Sequence, residues 1–301
     1  MLSPPQSPIP LTPVIAPRPN PPDLHIMKKI IAALDGLRLS QATIQTATAL
    51  AAGMPAHLVG VFLDDFTRNS FSVYEAIEDG EFSEKRLKKL AEKDKQIRDH
   101  AVREFETACQ EKGIQYSVHR DKSIAIQDLL RESIYADLLI INAHESFSRL
   151  EEPAPTRFLR DLLSDVQCPV LITPENYAPF EKVIMLYDGA PASVFAIKMF
   201  THIMPGNLPV EVISVKENDL HLPENRLMKE FMKRHCPHAM YTVLKGDAEN
   251  EILQRLLTEG PRSLVVLGAY QRSAVSRWFK ASMADMLIKA VACPLFIAHN
   301  K

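Results

Sequence analysis

Lys29-Ile-Ile-Ala-Ala-Leu-Asp35-Gly36 and, 153 residues later, Lys182-Val-Ile-Met-Leu-Tyr-Asp188-Gly189 are one pattern written twice. Each has a lysine, five mostly apolar residues and an Asp-Gly stop. A short continuous apolar run closed by a turn signal reads as a strand buried on both faces. Ser40 falls on Ser193 at the same spacing. Leu138-Leu-Ile-Ile-Asn142-Ala-His144 matches Leu264-Val-Val-Leu-Gly268-Ala-Tyr270 at a spacing of 126, and Cys168-Pro-Val-Leu-Ile172 matches Cys293-Pro-Leu-Phe-Ile297 at 125. Matches in constant order across each half point to one unit present twice. The fall in spacing places about 27 extra residues in the first half, after its second strand. The two copies are expected at residues 27–174 and 179–301. Thr173-Pro174-Glu175-Asn176-Tyr177-Ala178-Pro179 joins them, with two prolines that punctuate the chain.

Helical patterns alternate with these runs. Gln41–Ala52 carries apolar positions at Ala42, Ile44, Ala47, Leu50 and Ala51 and is closed by Gly53. His57–Leu63 reads as the second strand. In Glu84–Lys112 the residues Leu87, Leu90, Ile97, Ala101, Phe105 and Ala108 share one helical face, with Gly113 as the stop. Gln115–His119 is a strand. Ser123 can cap a helix carrying Ile126, Leu129, Leu130 and Ile134. Leu138–Asn142 is the central buried strand, Arg157–Val166 a last helix and Pro169–Thr173 a last strand. The second copy repeats this order. The expected fold class is α/β: two tandem open parallel-sheet domains of five strands each, covered by helices on both faces and forming an internal pseudo-dimer.

Composition narrows the function. The 301 residues carry a net charge of −2, which argues against nucleic acid or an anionic membrane as the main partner. No apolar run approaches the roughly 18 residues of a membrane span. Four cysteines without a CxxC pair argue against a disulfide framework or a cysteine-rich zinc site. His235-Cys236-Pro237-His238 crowds three ligand types together, but no fourth partner stands at a zinc-type spacing. Residues 1–26 hold 9 of the 22 prolines, with no basic start or apolar core of a secretory signal, and read as a disordered Pro-rich leader. The expected location is the cytoplasm.

The repeated unit resembles the universal stress protein domain, in tandem. The features that carry the likeness are a first strand ending in Asp-Gly with a serine shortly after (Asp35-Gly36…Ser40 and Asp188-Gly189…Ser193), a late strand running into a loop and helix (Leu264–Gly268, then 269–282), the Lys245-Gly246-Asp247 turn before a helix, and the terminal Cys-Pro-aliphatic strand. The resemblance implies an adenine-nucleotide alpha hydrolase-like fold and domain pairing through the last strands, within one chain or in a homodimer. It also implies stress-response work through protein partners that the sequence does not identify.

Members of that family that bind ATP carry a loop G-x2-G-x9-G-[S/T] after the fourth strand, where backbone N–H groups and a helix N-terminus cradle phosphate. Here the second half has Gly268-x2-Gln271-x9-Ala281-Ser282, keeping one glycine and the serine. The first half has Asn142-x2-Glu145-x9-Pro155-Thr156, with no glycine. There Glu145, Glu151 and Glu152 repel phosphate, and Pro153 and Pro155 remove donors. The resemblance makes Asp35 and Asp188 adenosine-side residues and Val61 and Val215 pocket-lining residues. Arg272, Arg277 and Lys280 can stand in for the lost backbone cradle. The expected cofactor-binding set is therefore Asp188, Val215, Gly268, Arg272, Ser282 and Asp35, with ATP or AMP an optional ligand of the second half and no certain cofactor. Against this stands the structural alternative, in which the aspartates cap turns, the valines are core, and Cys168 and Cys293 are buried small hydrophobes. No catalytic constellation is present, so a non-catalytic stress-response module is the leading reading; a slow ATPase or nucleotide-dependent transferase using Asp188 and Ser282 is its competitor. The insertion Asp64–Phe82 and the charged face of Glu84–Arg103 offer a contact surface.

Overall fold

The computed structural model describes residues 27–63, 84–121, 125–148, 151–206, 208–217, 221–269 and 281–299. In the first half the elements are β1 (Lys28–Asp35), α1 (Gln41–Ala52), β2 (Ala56–Leu63), α2 (Glu84–Glu111), β3 (Gln115–Asp121), α3 (Ala125–Ser133), β4 (Leu138–Asn142), α4 (Arg157–Asp165) and β5 (Val170–Thr173). The second half follows with β6 (Lys182–Leu186), α5 (Pro191–Ile203), β7 (Val210–Lys216), α6 (Asn225–His235), β8 (Met240–Lys245), α7 (Ala248–Leu257), β9 (Ser263–Gly268), α8 (Ala281–Ala290) and β10 (Leu295–Ala298). The expected leader (1–26), the insertion around Asp64–Phe82 and the Ser123 cap lie outside the described residues.

The ten strands form one sheet in the order β3-β2-β1-β4-β5-β10-β9-β6-β7-β8. Read outward from its middle, each half has the same strand order. All neighbours are parallel except at the middle, where β10 runs antiparallel to β5 with Leu295 opposite Ile172, Phe296 opposite Leu171 and Ile297 opposite Val170. The fold is α/β with two like halves, as the repeat predicts.

Alternate residues along each strand point to opposite faces, so a strand apolar throughout feeds two cores. One core gathers Ile31, Val59, Ile141, Ile172, Ile184, Val265 and Ile297 with residues of α3, α4, α7 and α8. The other gathers Ile30, Leu58, Ile140, Leu171, Val183, Val266 and Phe296 with residues of α1, α2, α5 and α6. Both cores cross the β5–β10 seam. The seam is reinforced on the outside: Arg160 of α4 reaches Asp285 of α8 at 2.8 Å, and the Lys28 ammonium donates to the carbonyls of His202 and Ile203 at the end of α5. Cations suit a helix C-terminus, where carbonyls lack intrahelical partners.

The repeat also survives as a duplicated ion pair. Lys29 Nζ lies 2.7 Å from Glu132, and Lys182 Nζ lies 2.7 Å from Glu259. Burial alone would raise the Glu259 pKa, but hydrogen bonds from Lys182, Ser263 and Arg255, with the Lys182 charge, bring it down to about 2.

Local details depart from the sequence reading at two points. Gly53 ends α1 with a right-handed φ of −87°, so this stop does not use glycine's left-handed freedom, whereas Gly113 does at φ 64°. Ile134, expected on the buried face of α3, lies beyond the helix and is exposed, because the chain has already turned toward β4.

Two outcomes follow from this packing. Phe296 is fully buried with its ring edge-on to Phe200 at 5.3 Å, so Phe296→Ala should lower stability by about 3–5 kcal/mol in urea denaturation. A loss below about 1 kcal/mol would contradict a packed seam. The depressed Glu259 pKa contributes stability that is complete above the ordinary carboxylate value and lost as pH falls from about 4.5 toward 2. Glu259→Gln should therefore destabilise by about 2 kcal/mol at pH 7 and converge with the parent near pH 2, read by denaturation midpoints across that range.

Candidate functional site

Ligands in open parallel sheets sit outside the carboxyl ends of the strands, beside the point where strand order reverses. In the first half that point lies between β1 and β4, and in the second between β6 and β9. Each sequence-derived site residue within the described region lies at or near one of these two mouths.

In the second half, Asp188 ends the first strand. Its Oδ1 accepts from the Ala190 backbone N–H at 2.8 Å and from the Ser193 hydroxyl at 2.6 Å. Ser193 is buried inside the first turn of α5 and ties that turn to the strand end. Gly189 has φ 82°, and a Cβ there would stand 2.6 Å from Pro223, so the Asp-Gly turn needs glycine for both conformation and space. The Tyr187 hydroxyl donates to the Pro223 carbonyl at 3.0 Å, fixing the covering segment. Val215 lies in β7, fully buried in the core that faces α7 and α8.

Gly268 ends β9, where a Cβ would meet the Ala192 carbonyl oxygen at 2.3 Å. This glycine lets the strand end approach the start of α5, a packing duty that accounts for it without a phosphate. Arg272, Arg277 and Lys280 lie outside the described residues, as does the side chain of Ser282 at the start of α8.

The first half is built differently. Asp35 is buried, its Oδ1 accepting from Leu37 N–H at 2.8 Å, and Arg98 of α2 lies against Gly36 and senses the Asp35 charge. Ser40, matched to Ser193 by spacing, caps α1 by accepting from Thr43 N–H at 3.2 Å. The two serines therefore do different work, because α1 starts after Ser40 whereas α5 starts before Ser193. Val61 is buried level with Ala33, two residues inside Asp35.

Beyond β4 the backbone donors that an anion would need are already engaged. The Asn142 side chain accepts from His144 N–H at 2.9 Å. Glu145 Oε1 accepts from Ser146 N–H and Phe147 N–H, both at 3.2 Å. Phe147 adopts φ 46° and buries its ring 4.6 Å from Phe158, while Thr156 caps α4 and donates to the Glu145 carbonyl. A carboxylate from the chain itself thus sits on the loop where the family resemblance places phosphate. Burial, then the Asp35 charge, push the Glu145 pKa up to about 8 against those two N–H groups and Arg38. Around it opens a cleft of about 430 Å³, lined among the described residues by Arg38, Ser40, Asn142, His144, Glu151, Glu152 and Glu175, together with Glu145. Sequence reading identified Glu145, Glu151 and Glu152 as hostile to phosphate. It missed Glu175, which lies beyond β5 in sequence and reaches the cleft only because β5 pairs with β4.

Elsewhere, His235 packs on Phe231 at 4.3 Å and near His202 at 5.4 Å. Burial pushes the thiols of Cys168 and Cys293 up to about 12 and about 11, which keeps them protonated and unreactive. Among the described residues no helix is long and apolar enough to cross a membrane.

The raised Glu145 pKa predicts a pH dependence. The folded chain holds this proton and the unfolded chain releases it near 4.5, so stability should fall as pH rises from about 4.5 to about 8 and then level. Glu145→Gln keeps the acceptor and should flatten that slope, leaving the variant the more stable protein at pH 8.5 by thermal or urea denaturation. An unchanged slope would exclude Glu145 as its source.

No protein-family model matches the chain, and no curated protein matches it in sequence. Solved structures match its fold. A universal stress protein from Archaeoglobus fulgidus superposes with a TM-score of 0.63 at 15% identity, covering 91% of this chain and 98% of that one. A Pseudomonas aeruginosa protein assigned as a universal stress protein gives 0.53 at 14% identity, covering 91% and 93%. The cytoplasmic domain of a prokaryotic cation chloride cotransporter gives 0.50 at 11% identity, covering 91% and 95%. At these identities the likeness is one of fold: the chain has the double-length universal stress protein fold.

Proposed function

We propose that this chain is a universal-stress-type protein that acts as a non-catalytic regulatory module in the stress response. Its first half no longer admits a nucleotide, and ATP or AMP is an optional ligand of its second half. The observation that carries the reading is Glu145: its carboxyl group takes the Ser146 and Phe147 N–H donors, in a cleft whose other carboxylates repel a triphosphate. In the second half Asp188 and Gly268 both have structural duties. A nucleotide there therefore leans on the segment carrying Arg272 and on Ser282. No nucleophile with an adjacent general base stands at either mouth among the described residues, which is why catalysis is not part of the proposal. A fold found both in universal stress proteins and in the cytoplasmic part of a cotransporter suits a module that works through contacts.

Native mass spectrometry and calorimetry with ATP test this. At most one nucleotide per chain is expected, lost in Asp188→Ala and retained in Asp35→Ala. Phosphate release with magnesium should stay at background. Two bound nucleotides per chain, or sustained phosphate release, would overturn the reading.

A further inference from the structure

The first-half cleft has a chemistry of its own. It sits at the carboxyl ends of β1, β4 and β5, and its volume of about 430 Å³ lies within the range of small-molecule sites, roughly 300–1,000 Å³. Its lining carries Glu145, Glu151, Glu152 and Glu175 against Arg38 and His144. Two of the acids are partly committed: Glu152 Oε2 accepts from Arg157 N–H at the start of α4, and Glu145 Oε1 accepts the two loop N–H groups. Glu145 Oε2 is different. The residue is only 7% exposed and lines the cleft, yet no described residue hydrogen-bonds that oxygen. A buried carboxyl oxygen without a partner is costly unless something supplied from outside satisfies it.

We propose that this cleft binds a small organic polycation, a ligand with two or more ammonium groups, with Glu145 at its floor and Glu151 and Glu175 at its rim. A bare metal ion fits less well. Metal binding needs oxygen ligands converging at about 2.0–2.6 Å, and among the described residues no three acidic, histidine or cysteine side chains form such a group. Carboxylates spread around an elongated opening instead match charges spread along a chain. The site goes beyond the nucleotide reading and does not depend on it, since the second half can hold or lack ATP without changing this cleft.

An ammonium group bound at Glu145 favours its ionised form, so binding below about pH 8 releases that proton to solvent. The charged and titratable groups around it are Asp35 from β1, Arg38 from the turn before α1, His144, Glu151 and Glu152 from the segment after β4, and Glu175 from beyond β5. Arg98 of α2 stands behind Asp35.

The test is calorimetric titration of the full chain with spermidine at low ionic strength. Saturable one-to-one binding is expected, weakened at least tenfold in the double variant Glu151→Gln/Glu175→Gln, whose exposed side chains leave the fold intact. The control pair Glu92→Gln/Glu111→Gln, exposed on α2, should bind like the parent. Affinity should rise between pH 6.5 and 8, and Glu145→Gln should flatten that rise. The proposal is overturned by unsaturable heats, by equal weakening in the control pair, or by magnesium competing as a one-to-one ligand rather than through ionic strength. A pH profile that Glu145→Gln leaves unchanged removes the buried oxygen from the site and overturns it too.

Discussion

Two four-residue strands, Val170–Thr173 and Leu295–Ala298, hold this molecule together as one body. Each is apolar on both faces and ends its own five-stranded sheet. Left alone, each would present a row of unpaired backbone groups beside buried side chains, the arrangement that aggregates. Laid antiparallel against each other, they satisfy those groups and let two cores run unbroken from one half to the other. A parallel contact would place the halves in the same orientation; the antiparallel one relates them by an approximate twofold. The ion pair from Arg160 to Asp285 and the Lys28 ammonium on the end of α5 then sit across a joint that is already packed.

Around that joint the two halves keep their foundations and differ at their mouths. The pairs Lys29–Glu132 and Lys182–Glu259 stand at the amino ends of the sheets, where nothing is bound and packing alone constrains them. At the carboxyl ends the same Asp-Gly turn is covered by Arg98 of a long helix in one half and by Pro223 of a short segment in the other. Glycine tolerates both covers because it offers no Cβ to either. The extra residues of the first half supply that long helix, so an insertion read from spacing alone bears directly on what can reach the first mouth.

The behaviour of Glu145 illustrates how one side chain can redirect a loop. A carboxyl group that accepts its own loop's N–H groups replaces the bound anion such loops usually need. It also leaves Phe147 free to turn into the core at positive φ. The cost is a buried acid beside Asp35, and the cleft around it inherits the opposite electrostatic preference from a phosphate site. Erosion of a nucleotide site and gain of a cation-seeking one are, on this view, the same change.

The amino-acid sequence by itself determined the α/β class, the duplication and the strand boundaries, because apolar runs of fixed length, caps such as Ser40 and Thr156, and the Asp-Gly stops act over a few residues. It also marked Glu145, Glu151 and Glu152 as unfit for phosphate, since charge type needs no coordinates. Only the tertiary structure decided what each matched residue does. Ser40 and Ser193 share a spacing, yet one caps a helix and the other secures an aspartate, because their helices begin three residues apart in register. Gly268 looks like a remnant of a phosphate loop until the backbone of Ala192 is found against it. Glu175 joins the cleft through the pairing of β5 with β4, a contact between segments about 30 residues apart that no local pattern encodes.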